Sequence, residues 1–295
     1  MYYYKIFNSV IKSDLKLFLL EKTHKKKHFD IEVTISKEPN SEFYGRSRVN
    51  NQINISHSII FQKQNELVFE IKNGRKIIIH VLNEQLDPND ICIALINIPL
   101  GYCLYQQKKL VLHSSAISNE KGAYMFLGES GTGKSTICSH LLNDFDFVSE
   151  DVCLLEFKKN KVFLYNGPNY VKLDKSHLNK NIFNINNKIE INSDRLDRSL
   201  YKVRENKTNP HFLKKIFILE WSDRFEIKKI NGKKLFASYL LNLFSAYPFD
   251  SCKLSSKLAI ENFTALYNKV EFFLISRNKS NKFIYKDEII NQINN

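Results

Sequence analysis

Three of the nine glycines in this 295-residue chain fall in the short stretch FLGESGTGKST, residues 126–136. An apolar run, AYMFL, enters the stretch, and a segment with one apolar face, KSTICSHLLND, leaves it. Glycine lets the backbone turn tightly, so that several N–H groups can point into one concavity. The pattern therefore predicts a buried strand, a tight glycine loop and a helix in that order, which is typical of an α/β unit.

The residues of this loop also match a specific pattern. Gly128, Gly133, Lys134 and Ser135 occupy every fixed position of G-x-x-x-x-G-K-[ST]. In that pattern the backbone N–H groups and the helix N-terminus hold phosphate oxygens, the lysine reaches the β- and γ-phosphates, and the hydroxyl binds Mg²⁺. The predicted nucleotide-binding residues are Gly128, Glu129, Ser130, Gly131, Thr132, Gly133, Lys134, Ser135 and Thr136.

Two acidic residues and a histidine are candidates for the chemistry. Glu150 and Asp151 follow the apolar run DFDFV, and His113 ends the run LVLH. If the strand before the acids is adjacent and parallel to the strand before the loop, both acids lie beside the phosphates. There they would hold Mg²⁺ or accept a proton from an attacking hydroxyl. Two solvated acids in a turn, and a structural histidine, are the alternatives.

The rest of the chain predicts an α+β fold with an α/β core around the loop. Residues 1–86 contain short strand-like runs, with Asn73–Gly74 as a hairpin turn, and form a small β-rich domain. Residues 87–295 form the second domain, which begins with a buried helix over 91–107. Its expected strands are LVLHSSAIS, AYMFLGE, FDFVSEDVCLLEF, KVFLYN, KKIFILEW and VEFFLISR.

The formal net charge of +13 is compatible with nucleotide phosphates, an acidic peptide, nucleic acid or an anionic membrane surface. Lysine and asparagine are plentiful throughout, so a compositional bias explains much of this charge. The sequence contains no nucleic-acid-binding motif, which argues against nucleic acid as a partner. Three basic residues after the core strands are candidates for contact with a phosphate acceptor: Lys172, Lys202 and Arg204.

Cysteine usage and hydropathy indicate a cytoplasmic protein without a membrane partner. The five cysteines are odd in number, widely spaced and without a C-x-x-C pair, which predicts buried free thiols. The most apolar run, ICIALINIPLGYCLY, is shorter than the roughly 20 residues that a membrane span needs, and it is interrupted by Asn97, Pro99 and Gly101. The amino terminus shows no signal-peptide pattern.

Three segments together resemble a known family. LVLHSSAI, FLGESGTGKST and DFVSEDVCLLE are similar to the catalytic core of HPr kinase/phosphorylase, the bacterial serine kinase that shares its core with phosphoenolpyruvate carboxykinase. The chain resembles more closely the HPr-kinase-related proteins of lasso-peptide and other peptide-modification clusters. In those proteins segments like YYKIFNSVIKSDLKL and ALINIPLGYCLYQQKKLVLHSSAI recur. The resemblance is strong at 110–156 and weak elsewhere.

The resemblance implies an ATP-dependent serine kinase with ATP and Mg²⁺ as cofactors and a peptide or protein as acceptor, such as a ribosomal peptide precursor. Lys134 and Ser135 would bind ATP and Mg²⁺. The acidic pair would divide its tasks, with Glu150 as the base and Asp151 on the metal side. His113 would lie near the transferred phosphate.

The chain also departs from that family. The first acid of the pair is Glu150, where the family has aspartate, and only one glycine, Gly232, follows Gly167, so the late glycine-rich loop linked to the reverse reaction has no counterpart. The resemblance therefore does not imply HPr as the substrate or phosphorylase activity. Three alternatives stay open: an ATP-binding regulatory or scaffold protein with a degenerate site, a kinase of a small-molecule alcohol, and, more distantly, a nucleic-acid-binding ATPase.

Overall fold

The computed structural model describes residues 1–36, 58–63, 66–83, 85–174, 187–189, 198–204, 206–244, 256–279 and 285–295. Over these residues the protein is α+β, with mixed sheets and helices packed against them. This agrees with the fold class that the sequence predicts.

Within the described part of the N-terminal region, seven strands form one sheet. They are β1 (Tyr2–Ile6), β2 (Ser9–Ser13), β3 (Glu21–Lys22), β4 (Ile31–Ile35), β5 (Ser58–Lys63), β6 (Leu67–Lys72) and β7 (Lys76–Val81), in the spatial order β3-β1-β2-β4-β7-β6-β5. Asn73 and Gly74 form the turn between β6 and β7, with φ angles of 54° and 62°, as their tolerance of positive φ predicts. The small β-rich N-terminal domain expected from the sequence stays a prediction.

Two helices follow this sheet, α1 (Pro88–Leu95) and α2 (Ile98–Gln106). The single helix expected over 91–107 is therefore wrong. Pro99 has no N–H, and its ring would clash with a carbonyl of the preceding turn, so the first helix ends and the second starts with proline in its first turn. Both helices share one hydrophobic cluster with β4 and β6. The domain boundary at 86/87 stays a prediction.

The second sheet carries the glycine loop. Its first strands are β8 (Leu110–Leu112), β9 (Ser115–Asn119), β10 (Gly122–Leu127), β11 (Asp146–Glu150), β12 (Cys153–Lys158) and β13 (Lys161–Leu164). A separate three-stranded sheet follows, β14 (Tyr170–Asp174), β15 (Asn187–Ile189) and β16 (Arg198–Lys202), and then β17 (His211–Trp221), β18 (Glu226–Lys229) and β19 (Glu271–Arg277) complete the second sheet. Counted over the described residues, that sheet has nine strands, in the order β11-β9-β10-β17-β13-β12-β8, with β19 also paired to β17 and β18 to β19.

Helices cover both faces of this sheet. The helices α3 (Lys134–Leu141) and α6 (Lys286–Asn294) pack on one face, where Tyr124 and Phe126 of β10 point. The helices α4 (Gly232–Asn242) and α5 (Ser256–Tyr267) pack on the other, where Met125 and Leu127 point. Side chains alternate between the faces of a strand, so β10 is buried along its whole length.

One long antiparallel ladder in this sheet is interrupted. Leu112 lies opposite Cys153 and Ser115 lies opposite Glu150, so the β8–β12 and β9–β11 pairings are in the same register where they flank the interruption. The interruption consists of His113, Ser114, Asp151 and Val152. The runs LVLHSSAIS and FDFVSEDVCLLEF, each expected to be one strand, are therefore two strands each.

Four cysteines lie in the described part of the chain, and the expectation of buried free thiols is confirmed for them: Cys92, Cys103, Cys138 and Cys153. Cys252 lies outside the described residues. Across the ranges that the structure describes, none of the helices has both the length and the apolar character needed to cross a bilayer.

Candidate active site

The glycine loop between β10 and α3 has the backbone geometry that its composition predicts. Gly128, Gly131 and Gly133 have φ angles of 150°, 82° and 84°, a region that side chains other than glycine disfavour. A Cβ atom at Gly128 would lie 2.8 Å from the carbonyl oxygen of Leu219. Gly133 is the N-cap of α3, which begins at Lys134. Strand, loop and helix thus follow each other as a phosphate-binding loop requires.

The side chain of Lys134 lies inside the loop. It is buried, and its ammonium group donates to the carbonyl oxygens of Gly128 (2.8 Å) and Glu129 (3.3 Å). The Thr132 hydroxyl donates to the same Glu129 oxygen at 2.7 Å. The loop therefore curls around one positive charge, and the N-terminal end of α3 adds a positive partial charge beside it.

The strand that carries the acids is not adjacent to β10, contrary to the sequence-based expectation. The strand β9 lies between them and is antiparallel to both β10 and β11. A tight turn joins β9 to β10, so β9 occupies the place next to β10 and the chain returning from α3 must pair beyond it. Since β10 and β11 still run parallel to each other, both end at the same edge of the sheet, and the acids lie at the loop.

Glu150 is buried at the end of β11. Its Oε2 accepts a hydrogen bond from the Lys172 backbone N–H at 2.8 Å, and Oε1 has no partner in ordinary hydrogen-bond geometry among the described residues. Burial, and then the charge of Asp151, raise the pKa of Glu150 to about 7, although Lys172 and the Ser135 hydroxyl act in the opposite direction. Ser135 belongs to the first turn of α3, so the Glu150 carboxylate lies beside that turn.

Asp151 is half-buried and pairs with a lysine. Its Oδ2 lies 2.5 Å from Nζ of Lys172. Burial opposes ionisation, but Lys172, then His113 and Lys134, outweigh it and lower the pKa of Asp151 to about 2. This carboxylate is anionic throughout the neutral range.

Asp151 is also the central residue of a tight turn. Its φ angle is 64°, and the N–H of Val152 donates to the carbonyl of Glu150 at 2.8 Å, which defines a γ-turn. Such turns with positive φ are rare and strained for a residue with a side chain, and strain of this kind clusters at functional sites. The turn is what interrupts the long ladder.

His113 and Lys172 complete the cluster. Nδ1 of His113 lies 3.2 Å from the carbonyl oxygen of Asp151, and burial, with Lys134 adding, lowers the pKa of this histidine. Nζ of Lys172 also donates to Oδ1 of Asn97 (3.0 Å), in the connection between α1 and α2. The structure therefore brings together Lys134, Ser135, Glu150, Asp151 and His113, the residues that sequence singled out for the chemistry.

The other two basic candidates lie differently from Lys172. Lys202 is exposed on β16, opposite Tyr170. Arg204 is exposed and lines a cleft with Asp144 and Asp146, where β11 begins. Glu150 and Asp151 lie at the opposite end of β11. Of the three, Lys172 is the one that contacts the acidic pair.

Two buried residues at the site were not identified from sequence. Asn242, the last residue of α4, accepts from the Gly128 N–H with Oδ1 (3.2 Å), and its own carbonyl accepts from the His113 N–H (2.7 Å). Arg277, the last residue of β19, donates to the carbonyl oxygen of Thr132. The available signal was a polar residue at the end of a mostly apolar segment, LFASYLLN and FFLISR respectively.

The oxygen atoms at the site suit Mg²⁺. This ion prefers oxygen ligands and is usually held by one or two carboxylates together with water and substrate phosphates. The Ser135 hydroxyl and the carboxylates of Glu150 and Asp151 provide such oxygens, and Oε1 of Glu150 has no ordinary hydrogen-bond partner among the described residues. The described ranges contain no group of three or more His, Cys, Asp or Glu side chains that would form a complete metal site by themselves.

Comparison with known proteins gives a distant structural likeness. No family model matches the chain, and no curated protein matches it. Among solved structures, the HPr(Ser) kinase/phosphatase from Coxiella burnetii is similar, with 10% sequence identity over 62% of this chain and 95% of that chain, at a TM-score of 0.32. A likeness this distant does not establish a family, so the function has to be inferred from the loop and the acidic pair.

Proposed function

We propose that the protein is an ATP-dependent kinase that transfers the γ-phosphoryl group of ATP to a hydroxyl, that of a serine in a peptide or protein. The observation that carries this proposal is the position of the acidic pair beside the glycine loop. The Ser135 hydroxyl favours the ionised form of Glu150. Lys172 donates hydrogen bonds to both acids, from its backbone N–H to Glu150 and from its ammonium group to Asp151. A phosphate cradle, oxygen ligands for a metal and a proton acceptor are what phosphoryl transfer needs in one place.

The loop would bind the nucleotide. The backbone N–H groups of the loop and of the first turn of α3 would donate hydrogen bonds to phosphate oxygens. The Lys134 ammonium group, which donates to two loop carbonyls in the free protein, would bind the β- and γ-phosphates instead. Ser135 and Asp151 would hold Mg²⁺. When bound, Mg²⁺ neutralises charge that develops on the transferred group.

The two carboxylates would divide the remaining work. A seryl hydroxyl is a poor nucleophile at neutral pH until a base accepts its proton. Glu150, with a pKa raised to about 7, is the better proton acceptor of the two, and the proton would go to Oε1. Asp151 is kept anionic by Lys172, and His113, whose pKa is lowered, would remain neutral beside it.

The choice of a peptide acceptor rests on the sequence resemblance and on the net charge of +13, which suits an acidic peptide. The test is ADP formation from Mg²⁺-ATP with and without candidate seryl peptides, followed by mass spectrometry of the peptide. Asp151→Asn and Lys134→Ala should lose the activity. Glu156→Gln is the matched control, because this carboxylate on β12 pairs instead with Lys158 and Tyr165.

The outcomes separate the alternatives. ADP formation that depends on the peptide supports the proposal. ADP formation with a small alcohol but no peptide indicates a small-molecule kinase, whereas tight ATP binding without ADP formation under any condition indicates a regulatory or scaffold protein. Failure to bind ATP contradicts all three.

A further inference from the structure

We propose that Arg277 is a positioning residue for nucleotide binding, because it turns the Thr132–Gly133 peptide so that the Gly133 N–H faces the bound phosphates. This inference rests on the proposed function, since it requires that the loop binds phosphate. It assigns a role to a residue far from the loop in sequence.

The sheet places Arg277 at the loop. The strand β19 is parallel to β17, with Arg277 opposite Trp221, and β17 is parallel to β10, so all three strands end at the same edge. Arg277 is only 2% exposed. Its guanidinium carbon lies 4.7 Å from the centroid of the Trp221 ring, within the range of a cation–π contact. The guanidinium group is therefore held in one position while it donates to the Thr132 carbonyl.

The direction of the Gly133 N–H follows from peptide geometry. A trans peptide is planar, so its C=O and N–H point in opposite directions. With the Thr132 oxygen directed at Arg277, the Gly133 N–H points away from the guanidinium group. Gly133 is the N-cap of α3, and the N–H groups at a helix start have no partners within the helix. Arg277 thus fixes the orientation of a donor at the place where a phosphate would bind.

The close approach of Arg277 to the loop backbone requires a glycine at position 133. A Cβ atom at position 133 would lie 2.9 Å from a guanidinium nitrogen, and the φ angle of 84° already favours glycine. The glycine that the loop pattern requires therefore also lets the guanidinium group approach the backbone.

The charge of the side chain is consistent with this role. Burying a guanidinium group costs more free energy than burying a neutral donor, so support of one carbonyl alone would be better met by an amide. Burial lowers the pKa of Arg277 to about 10, and the group stays cationic at neutral pH. Together with Lys134, it adds positive potential around the loop, which favours an anion there.

The test compares two ligands, Mg²⁺-ATP and inorganic tripolyphosphate, by isothermal titration calorimetry with the full chain. Arg277→Met removes the charge and the donor, and Arg277→Lys keeps the charge. Lys215→Met is the matched control, because Lys215 is also buried, lies on β17, donates to a backbone carbonyl (Gln292, 2.7 Å) and contacts the Phe273 ring.

Arg277→Met should weaken the binding of both ligands by about 10- to 100-fold, the scale of one hydrogen bond to a charged group. Arg277→Lys should weaken binding less, and Lys215→Met should leave both affinities unchanged even if it lowers the melting temperature. In kinase assays of Arg277→Met, the KM for ATP should rise more than kcat falls.

Other results would overturn the inference. Unchanged affinity in Arg277→Met means that the side chain only supports the fold, and a loss confined to ATP means that it contacts the nucleoside instead. If Arg277→Met does not fold, unchanged affinity in Arg277→Lys is decisive against the inference. If the wild-type protein binds neither ligand, the proposed function is wrong as well. If the wild-type protein binds both ligands and the Arg277 variants bind them with the same affinity, only this inference is wrong.

Discussion

Replacing Glu150 with glutamine should stabilise the folded protein at pH 8 while it reduces turnover. Glutamine keeps the shape of the side chain, and its carbonyl oxygen can accept the Lys172 N–H hydrogen bond, which is 2.8 Å in the wild type. Burial and the charge of Asp151 raise the pKa of Glu150 from 4.5 to about 7. The folded state therefore binds this proton more tightly than the unfolded chain. The stability that Glu150 contributes is complete below pH 4.5 and is lost as the pH rises through 7.

The size of the effect follows from the two pKa values. The difference between 4.5 and about 7, at about 1.4 kcal/mol per pKa unit, is a loss of at most about 3 kcal/mol of unfolding free energy between pH 4 and pH 8. The glutamine variant has no such loss. It should be more stable than the wild type by roughly 2–3 kcal/mol at pH 8, and by close to zero at pH 4.

Urea unfolding followed by circular dichroism at both pH values measures this difference. Glu156→Gln is the control, because hydrogen bonds from Lys158 and Tyr165 outweigh burial and lower the pKa of Glu156. That carboxylate contributes its stability above its unfolded pKa, so its replacement should bring no gain at pH 8. Parallel pH curves for the wild type and Glu150→Gln, or a less stable variant at pH 8, would refute the reasoning. Turnover should fall by at least ~100-fold, the scale of a general base, and full activity would exclude Glu150 as the base.

Four further substitutions test the loop, its supports and the acidic pair. Lys134→Ala should abolish phosphoryl transfer and weaken ATP binding, measured by calorimetry, whereas Lys121→Ala on the exposed β9–β10 turn should do neither. Gly128→Ala should lose nucleotide affinity, because its Cβ would meet a β17 carbonyl at 2.8 Å; normal binding would show that the loop adjusts. Asn242→Ala removes the acceptor of a loop N–H and should cost about 1–3 kcal/mol of unfolding free energy and raise the KM for ATP. Asp151→Asn should lose Mg²⁺-dependent nucleotide affinity that Glu150→Gln keeps, and the reverse pattern would exchange their roles.

The part of the site that sequence predicts well is local. The strand β10, the loop and α3 occupy 122–141 without a break, and the information for each lies in neighbouring residues: apolar length, glycine spacing and one apolar helix face. The hairpin turn at Asn73 and Gly74 is local in the same sense. Segments of this kind are determined by backbone preference and periodicity, and those are visible in a single sequence.

The parts that sequence missed depend on distant partners. The strands β14 and β16 lie on either side of an Asn-rich stretch whose composition resembles a loop, and they form because they pair with each other. Asn242 and Arg277 contact the loop from positions far along the chain, so their polar character at the end of a mostly apolar segment does not show which residues they contact. The division of residues 91–107 into two helices has a local cause instead. Proline disrupts a helix interior, and Pro99 is present in the sequence, but the continuous apolar pattern favoured the prediction of a single helix.

The interruption of the long ladder explains how one lysine serves both acids. In a continuous strand, successive side chains point to opposite faces, so Glu150 and Asp151 would diverge. Asp151 instead lies in a γ-turn with a φ angle of 64°, outside the strand, and the alternation ends there. Lys172 can then hold Glu150 through its backbone N–H and Asp151 through its ammonium group. Burial and the charge of Asp151 raise the pKa of Glu150, which receives only a neutral donor from Lys172, whereas the Lys172 ammonium group outweighs burial at Asp151 and lowers its pKa. The strained turn at Asp151 is thus the structural origin of the difference between two adjacent acids, and that difference is what a base and a metal ligand require.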